Sequence, residues 1–233
     1  MIERLIPAAS SFASDIDSVF TLIFILVGFW FVLTEGILVW LILRFRKRDG
    51  VKAEYITGEL KTEKRWISIP HLLVLVCDVF IIVGAVRVWY HVKQELPPAQ
   101  ETVRVIAQQW AWSFEHPGPD GSLGTADDIR TVDDLHVEVH KLYHFELSSR
   151  DVLHSFSVPA FRLKQDAIPG RTIIGWFEPT KTGTFDIQCV EICGVGHALM
   201  PARIIIETPE QHAAWVAEHS PVTLAAAAPR AEE

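Results

Sequence analysis

The string Cys189-Val-Glu-Ile-Cys193-Gly-Val-Gly-His197-Ala-Leu-Met200 places two thiols, an imidazole and a thioether in one short segment. Upstream, Asp-Val-Leu-His-Ser-Phe-Ser-Val-Pro-Ala-Phe, beginning at Asp151, adds a second imidazole at His154. Soft donors of this kind select copper, whereas a methionine suits a structural zinc site poorly. The number of metals is open at this level. A mononuclear blue site takes one Cys, two His and a weak axial Met. The second Cys allows two thiolates to bridge two metals, each completed by one His, with Met200 axial to one and a backbone carbonyl to the other. Two bridged coppers share one electron, so the charge change per metal is small. A stiff β-loop then limits the rearrangement that electron transfer requires. A Cys189–Cys193 disulfide is the alternative. It suits an extracytoplasmic location but leaves His197 and Met200 without a role. Cys77 is the only other cysteine, too few for a disulfide scaffold, and no Cys-x-x-Cys-His occurs for covalent haem.

Short strands must position these donors. Alternation marks TVRVIAQQWAWSF from Thr102 as a strand, and LHVEVHKLYHFEL (135–147) as a clearer one. In the latter His136, His140 and His144 share one face. Neighbours four apart on a strand are roughly 13 Å apart, so they read as solvent-face residues rather than a metal ladder. SFSVPAF, RTIIGWF, GTFDIQC and ARIIIET are further strands, punctuated by Pro and Gly. Together they imply an all-β sandwich or barrel. TPEQHAAWVAEH reads as a terminal helix with Thr208 as its N-cap. The expected organisation is a membrane hairpin over 1–95, the β domain over 96–220 and a loose tail over 221–233.

Two apolar runs precede the β region: Val19–Leu43, with Glu35 as its one charge, and Trp66–Tyr90, with Asp78 and Arg87 inside. A bilayer core about 30 Å thick needs roughly 20 helical residues, so each run can span. The segment between them carries eight Lys/Arg, from Arg44 to Arg65. The positive-inside rule puts it in the cytoplasm and both termini opposite. The first run is too long for a signal-peptide core, and acidic Asp15 and Asp17 precede it. Glu35, His71 and Asp78 are costly against lipid. They either meet partners on neighbouring helices or mark a proton or ion route, and either reading implies further membrane subunits.

Charge divides unevenly: residues 1–93 carry a net +2 and residues 94–233 a net −10. An acidic soluble half argues against nucleic acid and for a basic or metal-bearing partner. The loop HPGPDGSLGTADDIRTVDD (116–134) is rich in Asp and Gly. It offers oxygen ligands for calcium without matching EF-hand spacing, and a solvated acidic turn is the simpler reading.

With these motifs assembled, the chain resembles subunit II of the haem-copper cytochrome c oxidases over roughly residues 15–218. The resemblance rests on the two spans, QWAWSFE, DVLHSFSVP, DAIPGR and the C-x-E-x-C-G-x-x-H-x-x-M loop. It implies a two-helix hairpin before a cupredoxin-like Greek-key β-barrel, in a bacterial inner or equivalent respiratory membrane. It implies a binuclear copper centre held by His154, Cys189, Cys193, His197, Met200 and the Glu191 carbonyl. The Glu191 carboxylate would reach a magnesium shared with subunit I. Trp110 would receive electrons from cytochrome c or a similar donor, Asp151, Asp166 and Glu115 would be docking charges, and Glu63 would lie near the mouth of a proton pathway. The whole would serve a proton-pumping oxidase whose subunit I reduces oxygen to water. A quinol oxidase subunit would lack the ligands, and a copper carrier would need an open site. Three features depart from the family: Arg150 beside Asp151, the His71/Cys77/Asp78 group, and the 116–134 insertion.

Overall fold

The computed structural model of the chain describes residues 3, 5–52 and 55–221. The tail expected over 221–233 lies, beyond Pro221, outside the described residues. The chain divides into two compact units: Asp15–His91, and the described residues of Met1–Ser14 with Val92–Glu233. The first residues thus group with the β region and not with the hairpin.

The hairpin unit is built on two helices, α1 (Ala13–Arg44) and α2 (Lys61–Trp89). Both begin before their apolar runs, and each is long and apolar enough to cross a membrane. None of the apolar window of either helix is buried within the chain. That surface is left for lipid or for other subunits. The Trp30 indole N–H donates to the Cys77 sulfur at 3.4 Å, which gives the unexpected Cys77 a role in pinning the hairpin. His71 Nδ1 lies 2.8 Å from the carbonyl of Ile67, one turn back on its own helix. Glu63 caps α2 by accepting the Leu60 N–H at 3.2 Å.

Among the described residues, ten strands make two sheets. β1 (Glu101–Gln108), β2 (Ala111–His116), β3 (Ile129–Val132), β5 (Tyr143–Ser149) and β8 (Ile173–Phe177) form one, ordered β3-β2-β1-β5-β8. β4 (Asp134–Glu138), β6 (His154–Val158), β7 (Leu163–Ala167), β9 (Gly183–Cys189) and β10 (Pro201–Glu207) form the other, ordered β4-β10-β9-β6-β7. β1 with β5 and β4 with β10 are parallel, and the remaining pairs are antiparallel. The inner faces meet in a core of alternating apolar residues, including Val103, Val105, Trp112, Phe114, Phe145, Leu147, Phe156 and Ile187, all fully buried. Trp112 of one sheet meets Phe156 of the other edge-on, with ring centres 5.4 Å apart. An apolar helical hairpin followed by this two-sheet domain is the expected cupredoxin-like architecture.

Two strand expectations change. The segment from Thr102 to Phe114 is a hairpin, β1 turning at Gln109–Trp110 into β2. The segment 135–147 is two strands in different sheets, because the chain turns at His140, whose φ is 60°. His136 is therefore no solvent-face residue. It stacks on Trp215 of the terminal helix α3 (Pro209–His219) at 4.2 Å, and its Nδ1 lies 2.9 Å from Glu207. His212 of α3 meets the other oxygen of Glu207 at 2.9 Å, and buried His116 completes the cluster against Trp215. Thr208 caps α3 as expected, accepting the Gln211 N–H.

Candidate metal centre

One end of the second sheet gathers the soft donors. His154 opens β6, Cys189 closes β9, and register places Cys189 beside Phe156 on the adjacent strand. The loop from Val190 returns through a short 3₁₀ turn, His197–Leu199, to Met200 at the head of β10. Three neighbouring strands thus fix both ends of the ligand loop.

The donor atoms form a connected chain. His154 Nδ1 lies 3.9 Å from Cys189 Sγ, and Cys189 Sγ lies 3.8 Å from Cys193 Sγ. Cys193 Sγ is 3.5 Å from His197 Nδ1 and 4.0 Å from Met200 Sδ. The Glu191 carbonyl oxygen is 3.3 Å from Cys189 Sγ. Among the described residues, His154, Cys189 and Cys193 form a group whose donor atoms all lie within 4.8 Å of one another. Metal–thiolate bonds of about 2.3 Å let one ion touch both sulfurs at this separation, so two ions can share them. The set has the softness and the number of donors that two coppers require. Both cysteines are free thiols. Burial, and then the adjacent Cys189 sulfur, push the Cys193 thiol up to about 11, so metal must displace protons to bind.

The next layer of side chains orients these donors. Asp151 accepts from His154 Nε2 at 2.9 Å, leaving Nδ1 as the ligand face. The same carboxylate accepts the Gln109 N–H at 2.6 Å and the Val152 N–H at 2.7 Å. Burial pushes the Asp151 carboxyl up, but the Gln109, His154 and Val152 hydrogen bonds outweigh it and hold it below its ordinary value. Gln109 Nε2 and Trp110 Nε1 both donate to the Cys193 carbonyl, at 2.7 and 3.3 Å. The Trp112 indole donates to the Met200 carbonyl at 3.3 Å, and its ring meets His154 edge-on.

These contacts explain the glycines of the loop. Gly194 has a φ of 124°, and a Cβ there would lie 2.9 Å from Gln109 Nε2. A Cβ on Gly196 would fall 2.4 Å from Trp110 Cδ2. Trp110 therefore lies directly against the ligand loop while keeping 38% of its surface exposed. Sequence patterning missed Gln109, Trp112 and Gly196, since only the fold brings the β1–β2 turn onto residues 193–200.

The carboxylates expected to meet a donor also make contacts within the domain. Asp151 is committed as described. Asp166 accepts from the buried Ser155 hydroxyl at 2.7 Å. Glu115 is buried between Arg104 and Arg130. In the 116–134 loop, Asp127 accepts from the Asp120 N–H and the Thr125 hydroxyl, and Asp128 from the N–H groups of Gly124 and Thr125. These acidic groups thus tie the loop to itself.

Two helices long and apolar enough to span a membrane, a cupredoxin-like domain and a candidate metal site of Cys and His place the chain in the class of membrane-linked copper proteins. Residues 122–208 match the family profile described as the periplasmic domain of cytochrome c oxidase subunit II. The alternative cytochrome c oxidase subunit 2 of Bradyrhizobium diazoefficiens is 32% identical over 224 residues, covering 86% of this chain and 79% of that protein. Cytochrome c oxidase subunit 2 of Cereibacter sphaeroides is 29% identical over 241 residues, covering 90% and 78%. A solved periplasmic domain of cytochrome oxidase subunit II from Bradyrhizobium japonicum aligns with a TM-score of 0.48 at 31% identity, covering 54% of this chain and 96% of that one. The chain belongs to the cytochrome c oxidase subunit II family. It is accordingly subunit II of a haem-copper oxidase, a membrane protein with an extracytoplasmic domain.

Proposed function

We propose that this chain is the electron-accepting subunit of a proton-pumping cytochrome c oxidase, with both termini and the β domain on the extracytoplasmic side. His154, Cys189, Cys193, His197, Met200 and the Glu191 carbonyl would hold two coppers. The coppers, when bound, would supply a one-electron relay from cytochrome c or a similar donor to haem in subunit I, where oxygen is reduced to water. The observation that carries this reading is the run of donor atoms from His154 Nδ1 through both sulfurs to His197 Nδ1, each step 3.5–3.9 Å.

The other residues serve that site. Asp151 holds the His154 ring, Trp112 holds the Met200 backbone, and Gln109 with Trp110 holds the Cys193 carbonyl. Trp110 spans from solvent to the ligand loop, which suits it to receive electrons. Ile192, Val195 and Leu199 are exposed apolar residues on the same loop, a surface suited to burial against subunit I. Glu191 can serve copper through its carbonyl and a magnesium shared with subunit I through its carboxylate, a hard oxygen donor. Glu63 stands at the cytoplasmic start of α2, where a proton pathway would open, although its carboxylate also caps the helix. Calcium in the 116–134 loop would have to displace the hydrogen bonds that now engage Asp127 and Asp128.

The test is metal analysis with electron paramagnetic resonance on the full-length chain, purified in detergent and reconstituted with copper. Two coppers per chain in a mixed-valence signal are expected. One copper per chain, or a mononuclear hyperfine pattern, would overturn the binuclear reading. A quinol oxidase subunit, the competing reading, would bind none.

A further inference from the structure

Arg87 lies inside the second apolar run, where a cation needs an anionic partner. No ion pair or side-chain hydrogen bond engages it among the described residues. It lines a hollow of about 360 Å³ within the hairpin unit, together with Asp15 and His91. The floor is apolar, made by Val19, Leu22 and Val88. Gly84 keeps that floor open: a Cβ there would already touch Leu22 Cδ2 at 3.6 Å.

The hollow sits at a definite depth. Asp15 is in the first turn of α1, and Arg87 is in the last turn of α2, just before Trp89 and Tyr90. Aromatic pairs of this kind mark the level of the lipid headgroups. The end is the extracytoplasmic one, since the β domain follows directly from His91. A charged mouth over an apolar floor fits an occupant that is itself charged at one end and apolar at the other. The mouth carries both signs, so a purely anionic occupant would leave Asp15 facing like charge.

We propose that this hollow binds the headgroup of a zwitterionic aminophospholipid, with the phosphate on Arg87 beside His91 and the ammonium on Asp15. The lower acyl chain lies along Val19, Leu22 and Val88. The site is independent of the copper assignment and requires only that the hairpin span the membrane. Its consequence is a fixed lipid that seats the mouth of the hairpin at the membrane surface.

The experiment is native mass spectrometry of the full-length chain in detergent. The chain is incubated in turn with phosphatidylethanolamine, phosphatidylcholine and phosphatidylglycerol. Wild type retains phosphatidylethanolamine in preference to the other two. Arg87→Gln lowers its retention by about fivefold or more, the worth of one basic residue at a lipid surface. Arg87→Lys retains it, which separates loss of the cation from loss of the fold. Asp15→Asn removes the preference over phosphatidylglycerol. Gly84→Leu keeps every charge but fills the hollow and abolishes retention. Equal retention by wild type, Arg87→Gln and Gly84→Leu overturns the proposal. So does full displacement by inorganic phosphate, which would mark a simple anion site. A purified oxidase in which Arg87→Gln releases a neighbouring subunit but no lipid assigns Arg87 to a subunit contact, and overturns it likewise.

Discussion

Replacing Gly196 by Ala tests whether Trp110 acts through its contact with the ligand loop. The added methyl would lie 2.4 Å from Trp110 Cδ2 and 2.6 Å from Cγ. Carbon atoms rest at about 3.5–4.0 Å, so the ring must retreat by roughly 1 Å. The indole N–H now reaches the Cys193 carbonyl at 3.3 Å, and a retreat of that size breaks the bond. Gln109 still holds that carbonyl at 2.7 Å, so the loop and its donors stay in place. Overpacking of this kind costs about 1–3 kcal/mol. Copper content should therefore be unchanged and thermal stability modestly reduced. Reduction by cytochrome c should slow by roughly tenfold or more, because displacements near 1 Å can cost as much as about 10²-fold where geometry controls the rate. The assay is stopped-flow reduction of the copper-loaded chain, alongside metal analysis and a melting curve. An unaltered reduction rate in a protein with the expected loss of stability would refute the role given to Trp110.

Three further outcomes follow from the same contacts. Asp151→Asn should weaken copper retention by about 10–100-fold, the usual cost of losing a carboxylate behind a ligating histidine; competition with a copper chelator measures it, and wild-type retention would contradict it. Trp112→Phe keeps the ring against His154 but removes the N–H to the Met200 carbonyl. A stability loss of about 0.5–1.5 kcal/mol and a shifted redox midpoint are expected, read by urea unfolding and redox titration. An unchanged midpoint would make Trp112 a packing residue only. For buried His116, burial first, then His136 and His212, pull the imidazole from 6.5 down to about 3. The unfolded chain binds a proton in that window that the folded domain refuses. Stability therefore rises with pH from about 3 to 6.5, by up to about 1.4 kcal/mol per unit, and the penalty is gone above 6.5. Urea unfolding across that range should show a slope that flattens in His116→Asn.

The candidate ligands could be picked out because their chemistry is local. Cys189, Cys193, His197 and Met200 fall in one loop, and soft donors at that spacing have few other uses. The spans were legible from length alone. In 102–114 the signal was a one-residue slip: Val103, Val105 and Ala107 face the core in β1, but Trp112 and Phe114 do so in β2, so the alternation changes parity at Gln109–Trp110 where the chain reverses. In 135–147 the signal was present: Lys141 breaks the apolar face where the chain leaves one sheet for the other. Orienting contacts gave no such signal. Asp151 could equally face solvent or His154, and only the β5–β6 turn decides.

That decision changes how donor recognition must be understood. Asp151, Asp166 and Glu115 were expected to meet a basic donor, yet each is held by partners in its own domain. Asp151, which already accepts from Gln109, Val152 and His154, keeps its charge but has little capacity left for a direct hydrogen bond to a partner. Arg150 donates to Gln108 at 2.9 Å, at the end of the strand that turns into Trp110. Val152 and Leu153 leave more than a third of their surface exposed in the loop that follows Arg150. That loop thus offers exposed apolar side chains next to a basic one, while the soluble half as a whole carries a net −10. If the proposed basic donor docks here, its attraction would come from that distributed charge, which acts over distance and is screened by salt. The final contact would then be left to apolar packing against Trp110. Approach and seating are in this way assigned to different physical forces.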